Sequence, residues 1–220
     1  LLQNEHDRLN QAFLSAFAMI VLVAIPAAAG VATISSEIVK VLLGEKWTQV
    51  IPILQVLAVN GALRVVYSSI ANLLIATGRM RSVAFVAWFG VVCFVLAGFG
   101  LISDFGLMGV AVAKLGVNLL VIVVSVSTLY RLRGIRLAAL ATRAYRPLCA
   151  AGVMILGSLS LTSLLPEGTL PALLFKILVG AALYVVSVIA LWVMAGRPNG
   201  PERIVFDWGR SLLARMKGAF

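Results

Sequence analysis

Arg64 and Lys114 each fall near the middle of a long apolar run. A cation at that depth costs about 2.5–3.5 kcal/mol on insertion scales, and such residues almost always face a bundle interior or a wet cavity. Their neighbours share the anomaly. Asn60, Arg64, Ser68 and Asn72 recur every fourth residue, with Tyr67 beside them. Steps of four place side chains on one slowly winding helix face. Lys114, Asn118 and Ser125 repeat the idea at steps of four and seven. All eight acids lie in loops, at helix ends or near the termini, so no carboxylate within a span balances Arg64 or Lys114. Water, another part of a larger protein or an anionic ligand must balance them instead. A guanidinium donates in pairs and suits phosphate oxygens. Arg64, Lys114, Asn60, Tyr67, Ser68, Asn72 and Asn118 are therefore the candidate lining of a substrate path. The competing reading is structural: Asn and Ser on spanning helices commonly bond helix to helix. Lys176 lies near the end of its apolar run, where its long stem can snorkel to the headgroups.

The elements that carry these residues are membrane spans. Of 220 residues, 62% are hydrophobic and 12% charged, with a mean hydropathy of +1.08. A soluble domain carries about 25% charged residues. A span needs roughly 20 mostly apolar residues. Six runs qualify, at 11–34, 50–76, 83–102, 106–129, 148–165 and 170–195. The predicted fold class is therefore all-α, a polytopic membrane helix bundle of about six spans. Pro26 interrupts the first run and predicts a kink near Ala24. Residues 35–47 form a short amphipathic segment expected at the membrane surface, and residues 201–220 form an amphipathic tail suited to an anionic leaflet. Trp47, Trp88, Trp192 and Trp208 fall near span ends, as in an aromatic belt. Gly98, Gly100, Gly106 and Gly109 suit close helix approach.

Thirteen of the eighteen basic residues fall in alternate connections, from Arg8 through the 131–146 loop to the tail. That asymmetry predicts both termini of the segment in the cytoplasm. It also explains the formal charge of +10 without nucleic acid. Cys93, Cys149 and the single His6 offer no metal or disulfide framework, and no cofactor is expected. No acid pair, nucleophile with base or phosphate loop occurs in a span, so an enzyme is not expected.

Three motifs carry a resemblance. The run from Pro26 to Trp47 ends Val-Leu-Leu-Gly-Glu-Lys-Trp. Ala76-Thr77-Gly78-Arg79 closes the polar helix, and Phe105-Gly-Leu-Met-Gly-Val-Ala opens a later one. Together they resemble the polysaccharide-export flippases of the multidrug/oligosaccharidyl-lipid/polysaccharide superfamily. The resemblance covers roughly residues 1–145. It implies the C-terminal lobe of a two-lobe transporter of twelve to fourteen helices, with two additional helices in 146–200 and a cytoplasmic tail in 201–220. It further implies a bacterial inner-membrane protein that flips an undecaprenyl-diphosphate-linked oligosaccharide. Its lobes would rock around a basic cavity in which Arg64 matches the family's diphosphate-facing cations by chemistry and depth. Partners would be the lipid-linked substrate, membrane lipids and the N-terminal lobe absent from this chain. Rival readings are a drug–cation antiporter of the same superfamily, which wants buried acids, and a membrane-embedded polysaccharide ligase or polymerase, which needs large outward loops. A structural anchor would have no use for mid-span cations.

Overall fold

The computed structural model describes residues 2–162 and 169–194. It is all helical there. The order is α1 (Leu2–Thr33), α2 (Ser35–Leu42), a 3-10 turn (Glu45–Val50), α3 (Ile51–Ala76), α4 (Met80–Arg133), α5 (Leu137–Thr162) and α6 (Leu170–Met194). The expected tail at 201–220 and the turn after α5 lie outside the described residues. Four stretches are long and apolar enough to cross a membrane, at 8–33, 45–76, 80–132 and 170–194.

The third of these is two spans. The sequence predicts separate helices at 83–102 and 106–129, and α4 joins them through one non-helical residue, Gly106, at φ 56° and ψ −141°. That backbone region is closed to side chains with a Cβ but open to glycine. The chain reverses there. Val86 then meets Val117 and Val121, and Lys114 meets Phe94, so the two arms pack side by side. Gly109 lets the second arm begin against the Leu101 carbonyl, where a Cβ would overlap it. Gly98 and Gly100 have open space around them and are not close approaches. The expected close approach at those two is not made among the described residues.

Other boundaries also move. α1 starts nine residues before the predicted 11, and α5 starts at 137 instead of 148. Polar residues at helix ends satisfy the backbone as well as apolar ones do, so hydropathy marks the span but not the helix. As a result Arg143 and Arg146 lie on α5 rather than in a loop.

α1 is the central element. One side packs on α3, which packs on α4; the other packs on α5 and α6. A core of Phe13, Phe17, Val21, Ile70, Leu74, Leu129 and Leu140 joins the start of α1, the ends of α3 and α4, and the start of α5. The basic residues Arg79, Arg81, Arg131 and Arg136 flank these same helix ends, so the fold gathers them at one end of the bundle. The Gly106 reversal and α2 lie at the other end. A second core, Ala150, Ala151, Met154, Tyr184 and Val188, seals α5 and α6 to α1 around Leu22 and Ala29.

Pro26 sits inside a continuous α1. Lacking an N–H, it leaves the Leu22 carbonyl four residues earlier without its helical donor. The Tyr184 hydroxyl of α6 donates to that carbonyl at 2.7 Å.

Candidate functional site

The polar stripe of α3 is real but divides in two. Arg64, Ser68 and Asn72 are exposed, on a face shared with Leu57, Gly61 and Ile75 that no described helix covers. At 100° per residue these positions fall within one arc of the helix. Asn60 and Tyr67 lie off that arc, toward α4. Asn60 is buried, and its side-chain carbonyl accepts a hydrogen bond from the Asn118 amide of α4 at 2.5 Å. Tyr67 is half-buried against Val86, Val117 and Val121. Asn60 and Asn118 thus bond helix to helix. Steps of four drift by 40° each, so a stripe four turns long cannot keep one environment.

Lys114 is half-buried, with its ammonium 4.7 Å from the centre of the Phe94 ring on the opposing arm. A cation over an aromatic face is stabilised by the ring quadrupole, by roughly 0.5–2 kcal/mol depending on desolvation. Lys114 thus has a partner that is not a carboxylate. It stands one helical turn from Asn118 on the side of the Gly106 reversal. Arg64 stands one turn from Asn60 on the opposite side. The asparagine pair separates the two cations in depth, and the structure does not bring them together.

Ser68 donates to the Val65 carbonyl at 3.0 Å, and Ser125 to the Val121 carbonyl at 2.7 Å. Such back-bonding satisfies a hydroxyl within its own helix. Among the described residues Arg64 makes no ion pair or side-chain hydrogen bond. Its guanidinium stays available on an uncovered face.

Lys176 overturns its expectation. It does not snorkel outward. It is 3% exposed and forms an ion pair with Glu37 of α2, which is equally buried at 3%. Ser36 donates to the second carboxylate oxygen at 2.7 Å. Burial alone would raise the Glu37 pKa. The hydrogen bonds from Lys176 and Ser36 outweigh it and hold the carboxyl below its usual range. α2 was expected to lie flat at the membrane surface. It turns Ser35, Glu37 and Val39 inward and leaves Leu42 and Leu43 exposed. Glu37 is the one acid in α2. Nothing local says which distant helix receives it. Trp192, assigned to an interfacial belt, is likewise buried.

Beneath the ion pair a cavity of about 430 Å³ opens between α1, α5 and α6. Pro26, Gly30, Met154, Ser158, Lys176 and Tyr184 contribute to its wall.

The fold defines a class, the polytopic membrane helix bundles. It matches the lipid II flippase MurJ in an inward closed conformation with a TM-score of 0.71, at 16% identity, over 88% of this chain and 41% of that one. Sequence similarity is local. Residues 1–52 match the family described as polysaccharide biosynthesis protein. The chain is 36% identical over 75 residues to the teichuronic acid biosynthesis protein TuaB of Bacillus subtilis. It is 34% identical over 79 residues to the lipopolysaccharide biosynthesis protein WzxC of Escherichia coli. Each match spans about a third of this chain and 16% of the relative. The motifs' resemblance thus has local support in sequence, over residues 1–52 and the aligned 75–79 residues, and the fold is similar to that of a lipid II flippase.

Proposed function

We propose that this chain is one helical lobe of a flippase that moves a lipid-linked oligosaccharide across a bacterial inner membrane. It works as a transporter and not as an enzyme. The observation that carries the reading is Arg64: a mid-span guanidinium, unpaired among the described residues, on an uncovered polar face with Ser68 and Asn72. An uncovered cation in hydrocarbon is untenable, so this face borders water, a second lobe, or both. The diphosphate of a polyprenyl-linked sugar brings the complementary charge, and the guanidinium fork fits its oxygens. The names of the relatives, in teichuronic acid and lipopolysaccharide biosynthesis, support the substrate class. The fold likeness to a lipid II flippase supports the mode of action. The basic end of the bundle faces the cytoplasm in this reading, by the positive-inside rule. Movement of this lobe against a second one would expose the Arg64 face alternately to the two leaflets.

The test is Arg64→Ala in the full-length protein. Surface polysaccharide should be lost and lipid-linked precursor should accumulate, while membrane insertion stays normal. Arg64→Lys should restore part of the export, because charge survives and the bidentate fork does not. Normal surface polysaccharide from a well-inserted Arg64→Ala protein would remove Arg64 from the path.

A further inference from the structure

We propose that Glu37 and Lys176 form a latch, an ion pair that closes α2 onto α6 in this conformation and parts when the α1–α6 cavity opens. The proposal rests on the transporter reading above. Three observations carry it.

The first is position. α3, which bears Arg64, and α6 lie on opposite sides of α1. At the end away from the basic residues, α2 touches α1, α3 and α6, and so bridges the two sides. Glu37 makes a polar contact of that bridge, across 139 positions of sequence. The α2 segment runs through the 3-10 turn directly into α3. A shift of α2 relative to α6 is therefore transmitted to the helix that carries Arg64.

The second is chemistry. Taking two ions out of water costs several kcal/mol each, and well-packed apolar side chains of the same volume often hold helices at least as firmly. A buried ion pair is a poor permanent fastener. It differs from an apolar contact in having a second low-energy state, with both ions hydrated. It can exchange partner for water without leaving apolar surface exposed.

The third is the route to that second state. Lys176 lies in the wall of the 430 Å³ cavity, which is open on one side. By volume the space can take on the order of ten waters. Its other walls are largely apolar, so in the latched state Lys176 is satisfied by Glu37 and not by solvent. Small movements of α6 away from α1 would wet the ammonium and release the pair. Gly30 on α1 and Gly180 on α6 line the same seam.

The test uses the full-length protein in its own membrane, with Cys93 and Cys149 first replaced by Ala. Cysteines at the paired positions, Glu37→Cys with Lys176→Cys, are joined by a short reducible bis-thiosulfonate cross-linker. A latch that must open predicts that cross-linking lowers polysaccharide export by about tenfold or more, since one of two required states is removed. Reduction of the linker should restore export. Full export from protein shown to be cross-linked would overturn the latch. If the uncross-linked double cysteine protein inserts but does not export, the charge swap decides: Glu37→Lys with Lys176→Glu should recover most of the export that each single change abolishes. A swap as inactive as the single changes would overturn it equally. Failure of the transporter reading is distinguishable, because it appears as unchanged export when the whole protein is deleted from the cell, independent of any cross-link.

Discussion

The hydroxyl of Tyr184 on α6 donates to the carbonyl of Leu22 on α1, the acceptor that Pro26 deprives of its own helical partner. A defect in one helix is thereby repaired from another, and the repair ties α1 to α6 in the middle of their shared core. Tyr184→Phe leaves a buried carbonyl without a donor. The expected loss is about 1–2 kcal/mol, read as thermal unfolding in detergent. In a Pro26→Ala background the restored N–H should satisfy Leu22, and Tyr184→Phe should then cost almost nothing. An undiminished cost in that background would show that the tyrosine matters for packing alone.

Asn60 and Asn118 are the matching tie between α3 and α4. Either one changed to Ala should lose roughly 0.6–1.7 kcal/mol, the range for hydrogen bonds between spanning helices. The double change should cost less than the sum, because each single change already breaks the same bond. Simple additivity in a detergent unfolding cycle would mean the two amides do not interact. Export should fall much less than in Arg64→Ala, since the pair is buried away from the Arg64 face.

The ion pair gives stability an acid limit. Glu37 is held below its usual range, so its contribution is fully present above its ordinary pKa of 4.5. The contribution is lost as pH falls through the depressed folded value, because the unfolded state then binds the proton more readily than the folded one. Unfolding temperature should therefore drop below about pH 4.5 more steeply in the parent than in Glu37→Gln, in line with that linkage. Parallel curves for the two proteins would show that Glu37 does not carry the shift.

The hairpin within α4 depends on backbone geometry more than on packing. Gly106→Ala forces a Cβ into a region that L residues avoid, at a cost of about 1–3 kcal/mol. Gly109→Ala adds a direct overlap with the Leu101 carbonyl. Both variants should lower the unfolding temperature. Gly98→Ala, at an open position in the same helix, should leave it unchanged or raise it slightly.

The sequence by itself determined that the chain spans a membrane several times, because hydropathy and span length depend only on local composition. It also located Arg64 and Lys114 inside their spans, since a charge inside an apolar run is conspicuous without any structure. Arg64 is exposed on α3 beside Ser68 and Asn72. The reversal at Gly106 was half legible: two spans were expected there, but one residue, not a loop, turns the chain. Partnership was not legible. Lys114 finds an aromatic ring, Asn60 finds Asn118, Leu22 finds Tyr184, and Lys176 finds Glu37 across more than half the chain. Each of these contacts depends on how helices rotate about their axes and which ones become neighbours. Those are decided by packing of whole faces, in which no single residue's type is decisive. The same physics that made the spans obvious, one uniform apolar solvent around all of them, leaves the choice of partner to the tertiary structure.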